Sequence, residues 1–156
     1  MSTSNRVSHV IPQTVIDQVA EKLKECTIAL EPYLTGLTEE ERQQLFKMGN
    51  KTVATVQKVE SYIETNPEFI PSYMNKDEFA KDIKVVTQLT PLQNVAYQLA
   101  SDLDDTRMLA GSEAVAEALI YYGSVKEAAK RGIPQSKPIY EELSERFTQR
   151  NKPKPE

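Results

Sequence analysis

The chain has 156 residues, 39% of them hydrophobic and 27% charged, and its 19 basic and 23 acidic side chains leave a formal charge of −4. That composition excludes collagenous, mucin-like and wholly disordered chains, and it fits one soluble domain able to bury roughly 70% of its unfolded surface. An acidic balance also argues against a sequence-independent nucleic-acid binder, whose affinity rests on a basic stripe that neutralises phosphates.

The charge is unevenly placed. Residues 124–156 carry 8 basic and 5 acidic side chains (+3), which leaves 11 basic and 18 acidic (−7) for residues 1–123. A solvated C-terminal face is the plain reading of that excess; a weak anion contact at Lys130 and Arg131 is the sharper one. The single cysteine, Cys26, allows no intrachain disulfide and fits a reducing compartment. The opening MSTSNRVSHVIPQT has one basic residue and no apolar run of seven, so it does not read as a signal peptide. No stretch of 18 apolar residues occurs, so the expectation is a cytoplasmic protein without membrane contact.

Residues 1–12 read as a flexible tail. From Ile16 the series Ile16, Val19, Leu23, Cys26, Leu30, Tyr33 steps 3, 4, 3, 4, 3, which puts all six on one helical stripe. A first helix is predicted over 13–34, its last turn tightened at Pro32. Cys26 falls on the seam and reads as a small core hydrophobe. Leu23→Asp would then cost several kcal/mol by burying a charge, with Lys24→Asp nearly silent.

Thr38 and Glu41 form a capping-box pair ahead of a second helix over 38–65. Its stripe is Leu45, Gly49, Thr52, Val56, Val59, Ile63, with Gly49 either a break or a point of close backbone approach. Asn66-Pro67 ends it. The loop 67–74 is unusually apolar, and Phe69, Ile70, Tyr73 and Met74 are expected to fold back over one end of the core. Asn75 and Glu78 open a third helix, whose stripe begins Phe79, Ile83, Val86.

Pro91 either kinks or divides that helix. The apolar positions continue through Leu92, Ala96, Leu99 and Leu103 to Val115, Leu119, Tyr122 and Val125. One rod over 75–131 would be about 85 Å long, too long for a compact domain of this size. A reversal is therefore predicted, either at Ser101–Asp105 or at Gly111-Ser112. Lys130-Arg131-Gly132 ends the fourth helix, and a short one over 137–149 carries Ile139, Tyr140, Leu143 and Phe147 on one side. Residues 150–156 read as a disordered tail. The expected fold is all-α: one domain over 13–149, an antiparallel up-down bundle of four long helices with a short C-terminal fifth helix.

The stretches LTEEERQQLFKMGNKTVATVQKVESYIETNPEFIP and MLAGSEAVAEALIYYGSVKEAAKRGIP, followed by IYEELSERF, resemble a family of small bacterial helical proteins of unassigned function. The resemblance covers about residues 35–149. It implies a bacterial source and a helical fold, and it carries no activity or site residue across.

Helical bundles often hold metals, but a di-iron site needs Glu-x-x-His motifs, and the one histidine, His9, lies in the polar tail. Cys26 and His9 do not make a zinc cluster. Asp102, Asp104 and Glu113 fall at positions 1, 3 and 12 of a calcium loop, yet Arg107 stands where that loop needs glycine. Gly111-Ser112-Glu113 lacks the second glycine of a nucleophile elbow, and no phosphate or dinucleotide loop occurs. No catalytic constellation and no cofactor are expected.

The residues thus point to a non-catalytic interaction or scaffolding module whose partner is a protein, itself or another. The partner surface is expected at Phe69, Tyr73, Tyr121, Tyr140 and Phe147. The alternative is a bundle that binds a small molecule between helices near Gly49, Gly111 and tyrosines, with or without enzymatic activity.

Overall fold

The computed structural model describes residues 5–149; the predicted tail 150–156 and the first four residues of the predicted tail 1–12 lie outside them. The described residues are all-α, without a strand. Their helices are α1 (Gln13–Leu30), α2 (Glu39–Gln44), α3 (Asn50–Thr65), α4 (Lys76–Lys130) and α5 (Ser136–Gln149), with 3-10 turns at Glu31–Tyr33 and Pro67–Phe69. The chain divides into two compact units. One is Val10–Gln98; the other takes residues up to His9 and from Leu99 onward.

In the first unit, α1 begins at the Pro12 carbonyl, which accepts from the Val15 and Ile16 amides at 2.9 and 3.3 Å. It ends where Pro32 withdraws a donor and a 3-10 turn takes over. The capping box at α2 is complete. The Glu41 amide donates to Thr38 Oγ1 at 3.2 Å, and the Thr38 amide donates to Glu41 Oε2 at 2.7 Å. The helix predicted over 38–65 is two helices. Leu45 turns extended (ψ 143°), and Gly49 is the extended N-cap of α3 (ψ 174°). Glycine's cost inside a helix, about 1 kcal/mol, favours the break there. A Cβ on Gly49 would meet nothing within 4 Å, so no backbone approaches it closely.

α4 runs unbroken through both places where a reversal was predicted, and Pro91 neither divides nor ends it. Pro91 has no N–H for the Thr87 carbonyl. The hydroxyls of Thr87 and Thr90 donate to the Ile83 and Val86 carbonyls at 2.9 and 2.7 Å, so both threonines stay within the helix. At Ser101–Asp105 the turn-prone residues remain helical: Thr106 Oγ1 donates to the Asp102 carbonyl at 2.8 Å, and Arg107 pairs with Asp104 at 2.6 Å. Gly111 is not in left-handed backbone, so it supplies no chain reversal.

The end of α4 is as predicted. Gly132 takes φ +71°, its amide donates to the Ala129 carbonyl, and the Ile133 amide donates to the Ala128 carbonyl, both at 3.1 Å. This double closure needs left-handed backbone that glycine adopts at no steric cost. Gln135 is also left-handed (φ 66°), and Ser136, which opens α5, is buried with its hydroxyl donating to the Ile133 carbonyl at 2.6 Å.

Each unit has a thin apolar centre. Ile83 in the first and Val125 in the second are each 8% exposed, the only apolar side chains so covered among the described residues. The predicted α1 seam is open. Ile16, Val19 and Leu23 each keep at least 40% of their surface exposed, and Cys26 is exposed rather than packed in a core. A stripe at helical spacing needs a facing element to bury it, and among the described residues this one lacks that cover.

Candidate functional site

The last turns of α3 and the segment after it build an apolar cup. The Asn66 amide closes α3 on the Tyr62 carbonyl at 2.7 Å, the Phe69 amide donates to the Asn66 carbonyl at 3.2 Å, and the Met74 amide donates to the Pro71 carbonyl at 2.9 Å. These bonds curl Phe69, Ile70 and Met74 back toward Val59, Tyr62 and Ile63, bordering an open recess of about 470 Å³. Lys58 lies 4.9 Å from the Tyr62 ring centre, one helical turn away. The fold-back predicted for loop 67–74 is therefore present for Ile70 and Met74, which are half-buried. Phe69 stays 78% exposed at the cup's edge, and Tyr73 stands clear of it at 91%.

In the second unit α5 rests on α4 through rings. Tyr140 stacks on Tyr122 with centroids 5.7 Å apart, and Phe147, two turns further along α5, tilts against the same ring at 5.1 Å. Such pairs are worth about 0.5–1.5 kcal/mol each beyond their area. Tyr140 and Phe147, predicted for a partner surface, thus serve this internal contact and are half-buried, whereas Tyr121 remains exposed. The five predicted surface residues do not form one site. Phe69 borders the cup, Tyr73 is separate from it, and Tyr140 and Phe147 join Tyr122.

The Ser144 side chain, more than any other influence, holds the Tyr122 phenol below its ordinary 10.0; burial opposes it, and Tyr140 and the Lys126 ammonium add lesser lowering effects. A folded-state value below the unfolded one means that the unfolded chain binds more protons between the two. Stability therefore rises with pH across the window from that lowered value up to 10.0. A tyrosinate absorbance titration should show one of the seven tyrosines ionising early, and Tyr122→Phe should remove that step. Superimposable titrations of the two proteins would contradict the assignment.

The basic notch beside this corner, lined by Lys126, Lys130, Lys137 and Tyr140, is electrostatically matched. Lys130 pairs with Glu127 at 2.7 Å, and Lys137 lies 4.0 Å from Glu141. The first pair lowers the Glu127 carboxyl and raises the Lys130 ammonium. Both pairs are exposed, so water screens them and they contribute little to stability. Arg150, Lys152 and Lys154 lie outside the described residues.

Sequence reasoning missed one partner, that of Glu113. Its carboxylate accepts from the Arg6 amide at 2.8 Å and the Val7 amide at 3.3 Å, tying the N-terminal segment to α4. No sequence signal joins residues so far apart. Among the described residues no group of three or more His, Cys, Asp or Glu side chains is placed to hold a metal ion, and no helix is long and apolar enough to cross a membrane. A Cβ on Gly111 would meet nothing within 4 Å, so this glycine, like Gly49, marks no close approach between helices. Comparison with family models, curated proteins and solved structures returns no match.

Proposed function

We propose that this chain is a non-catalytic interaction or scaffolding module, its open helical faces being the surfaces it offers to protein. One observation carries the reading: the α1 stripe of Ile16, Val19, Leu23 and Cys26 has the spacing of a buried seam and is exposed in the chain alone. Scattered apolar side chains on a surface need no explanation, but an aligned stripe points to association. The apolar cup adds a recess able to receive a large side chain. On this reading the antiparallel bundle of four long helices is an arrangement reached when such faces are covered. The resemblance to small bacterial helical proteins, and the cytoplasmic location expected separately from the sequence, belong to the same proposal.

Cys26 is a native reporter on the stripe. Its thiol should react with a maleimide at the rate of a free cysteine in the dilute purified chain, and markedly more slowly in an extract of the source cells, where partners are present. Equal rates in both settings would overturn the reading.

A further inference from the structure

Residues 5–9 lie against α4, inside the unit they share with residues from Leu99 onward. One carboxylate holds them. Glu113 Oε1 accepts from the Arg6 amide at 2.8 Å, and Glu113 Oε2 accepts from the Val7 amide at 3.3 Å. An extended strand turns successive groups to opposite sides. Two successive amides on one carboxylate therefore require a bend at Arg6-Val7. Bonds from backbone N–H to a carboxylate are charge-assisted and stronger than neutral ones. They grip the main chain, whatever side chains the segment carries.

Side-chain cover is slight. Val7 is half-buried, and the other four residues of 5–9 are exposed. A recess of about 270 Å³ stays open here, lined by Asn5 and Val7 on one side and by Ala110, Glu113, Ala114 and Glu117 of α4 on the other. The two alanines keep the helix surface low, and the segment does not fill the space they leave. Fixing these residues costs chain entropy, and two hydrogen bonds with one half-buried side chain outweigh that cost only narrowly. Charge favours the contact as well. Residues 1–16 hold Arg6 and no acidic side chain, whereas the recess presents Glu113 and Glu117.

We propose that this face of α4 is a docking site for a short main-chain segment, and that residues 5–9 occupy it as a displaceable cover. A segment offered by another chain takes their place when it has the same chemistry: two successive free amides at a bend, a compact apolar side chain beside them, and no acidic residue. Proline at either amide position is excluded, because it has no N–H to donate. Peptide sites commonly divide the work in this way, with main-chain bonds for affinity and a side-chain seat for specificity. The chain thus regulates its own site, which is free only when the cover leaves. The α1 stripe takes no part in it, so the inference goes beyond the reading above and does not depend on it.

The test uses the full chain and an end-blocked peptide copying residues 5–10, NRVSHV. Val7→Pro removes one donated amide, disfavours the bend at Arg6 and leaves α4 unaltered. The peptide should bind this variant several-fold more tightly than the native chain, whose cover reduces the fraction competent to bind. Glu113→Ala should abolish peptide binding in either background. It should also speed tryptic cleavage after Arg6, read by mass as release of residues 1–6. Asp105→Ala, about two turns away on the same helix, should change neither. Far-ultraviolet dichroism verifies that α4 persists in each variant. Equal peptide affinity in the native and Val7→Pro chains would show that residues 5–9 cover nothing. Binding that survives Glu113→Ala would put the peptide elsewhere. No binding to the Val7→Pro chain, or cleavage after Arg6 indifferent to Glu113→Ala, would leave the contact without the assigned role. Any of these results overturns the proposal, and none of them alters the Cys26 labelling that tests the α1 stripe.

Discussion

Val125→Asp is expected to release α5 from α4, at a cost of about 3–5 kcal/mol for an unpaired charge placed where water is excluded. Val125 is 8% exposed, and no other apolar side chain in its unit is so covered among the described residues. One helical turn before it, Tyr122 carries the two ring contacts that hold α5. Loss of the near-ultraviolet dichroism of the tyrosines, together with fast amide exchange through α5, is the measurement that checks this. Ile139→Ala, on a residue 40% exposed, serves as the mild control. An α5 protected equally in the Val125→Asp and native chains would show that the corner is held by something other than this contact.

Ile83→Asp is expected to have an effect of similar size in the other unit, again about 3–5 kcal/mol. Ile83 is 8% exposed and lies between half-buried Phe79 and Val86 on the first turns of α4. Amide exchange should quicken in those turns, while α5, in the other unit, keeps its protection. Uniform quickening along the whole chain would mean that the units do not unfold separately. Leu23→Asp makes the instructive contrast. Periodicity places Leu23 on a seam and predicts a loss of several kcal/mol, yet in the single chain its side chain is about half exposed, and an aspartate there meets water. The large cost would return only when another helix lies over α1.

Local structure was legible because its causes are local. The Thr38–Glu41 box, the Asn75 cap and the Gly132 closure each depend on side chains or backbone within a few residues, and all three stand where the sequence places them. The apolar loop after Pro67, expected to fold Phe69, Ile70, Tyr73 and Met74 over the core, turned back only in part: Ile70 and Met74 are half-buried beside the end of α3, while Phe69 and Tyr73 stay exposed. The predicted site fared less well. Aromatic residues were chosen for their type, and type does not separate Phe69, at the edge of a cup, from Phe147, already packed on Tyr122.

Periodicity thus settled helix against strand, most of the helix ends, and the identity of the apolar faces, since hydrogen bonding and side-chain spacing within a few turns decide those. It left open where helices stop when the stop signals are weak, and which faces meet. Ser101–Asp105 is as compatible with helix as with a turn, and in the structure it is helical, with Arg107 and Asp104 paired one turn apart. Glu113 meets the Arg6 and Val7 amides across more than a hundred positions, and no short-range pattern encodes such a contact. Whether an apolar face is buried depends on what lies across from it, a long-range fact: among the described residues Ile16, Val19 and Leu23 of α1 stay open, while the middle of α4 borders a groove with Leu30 and Leu34.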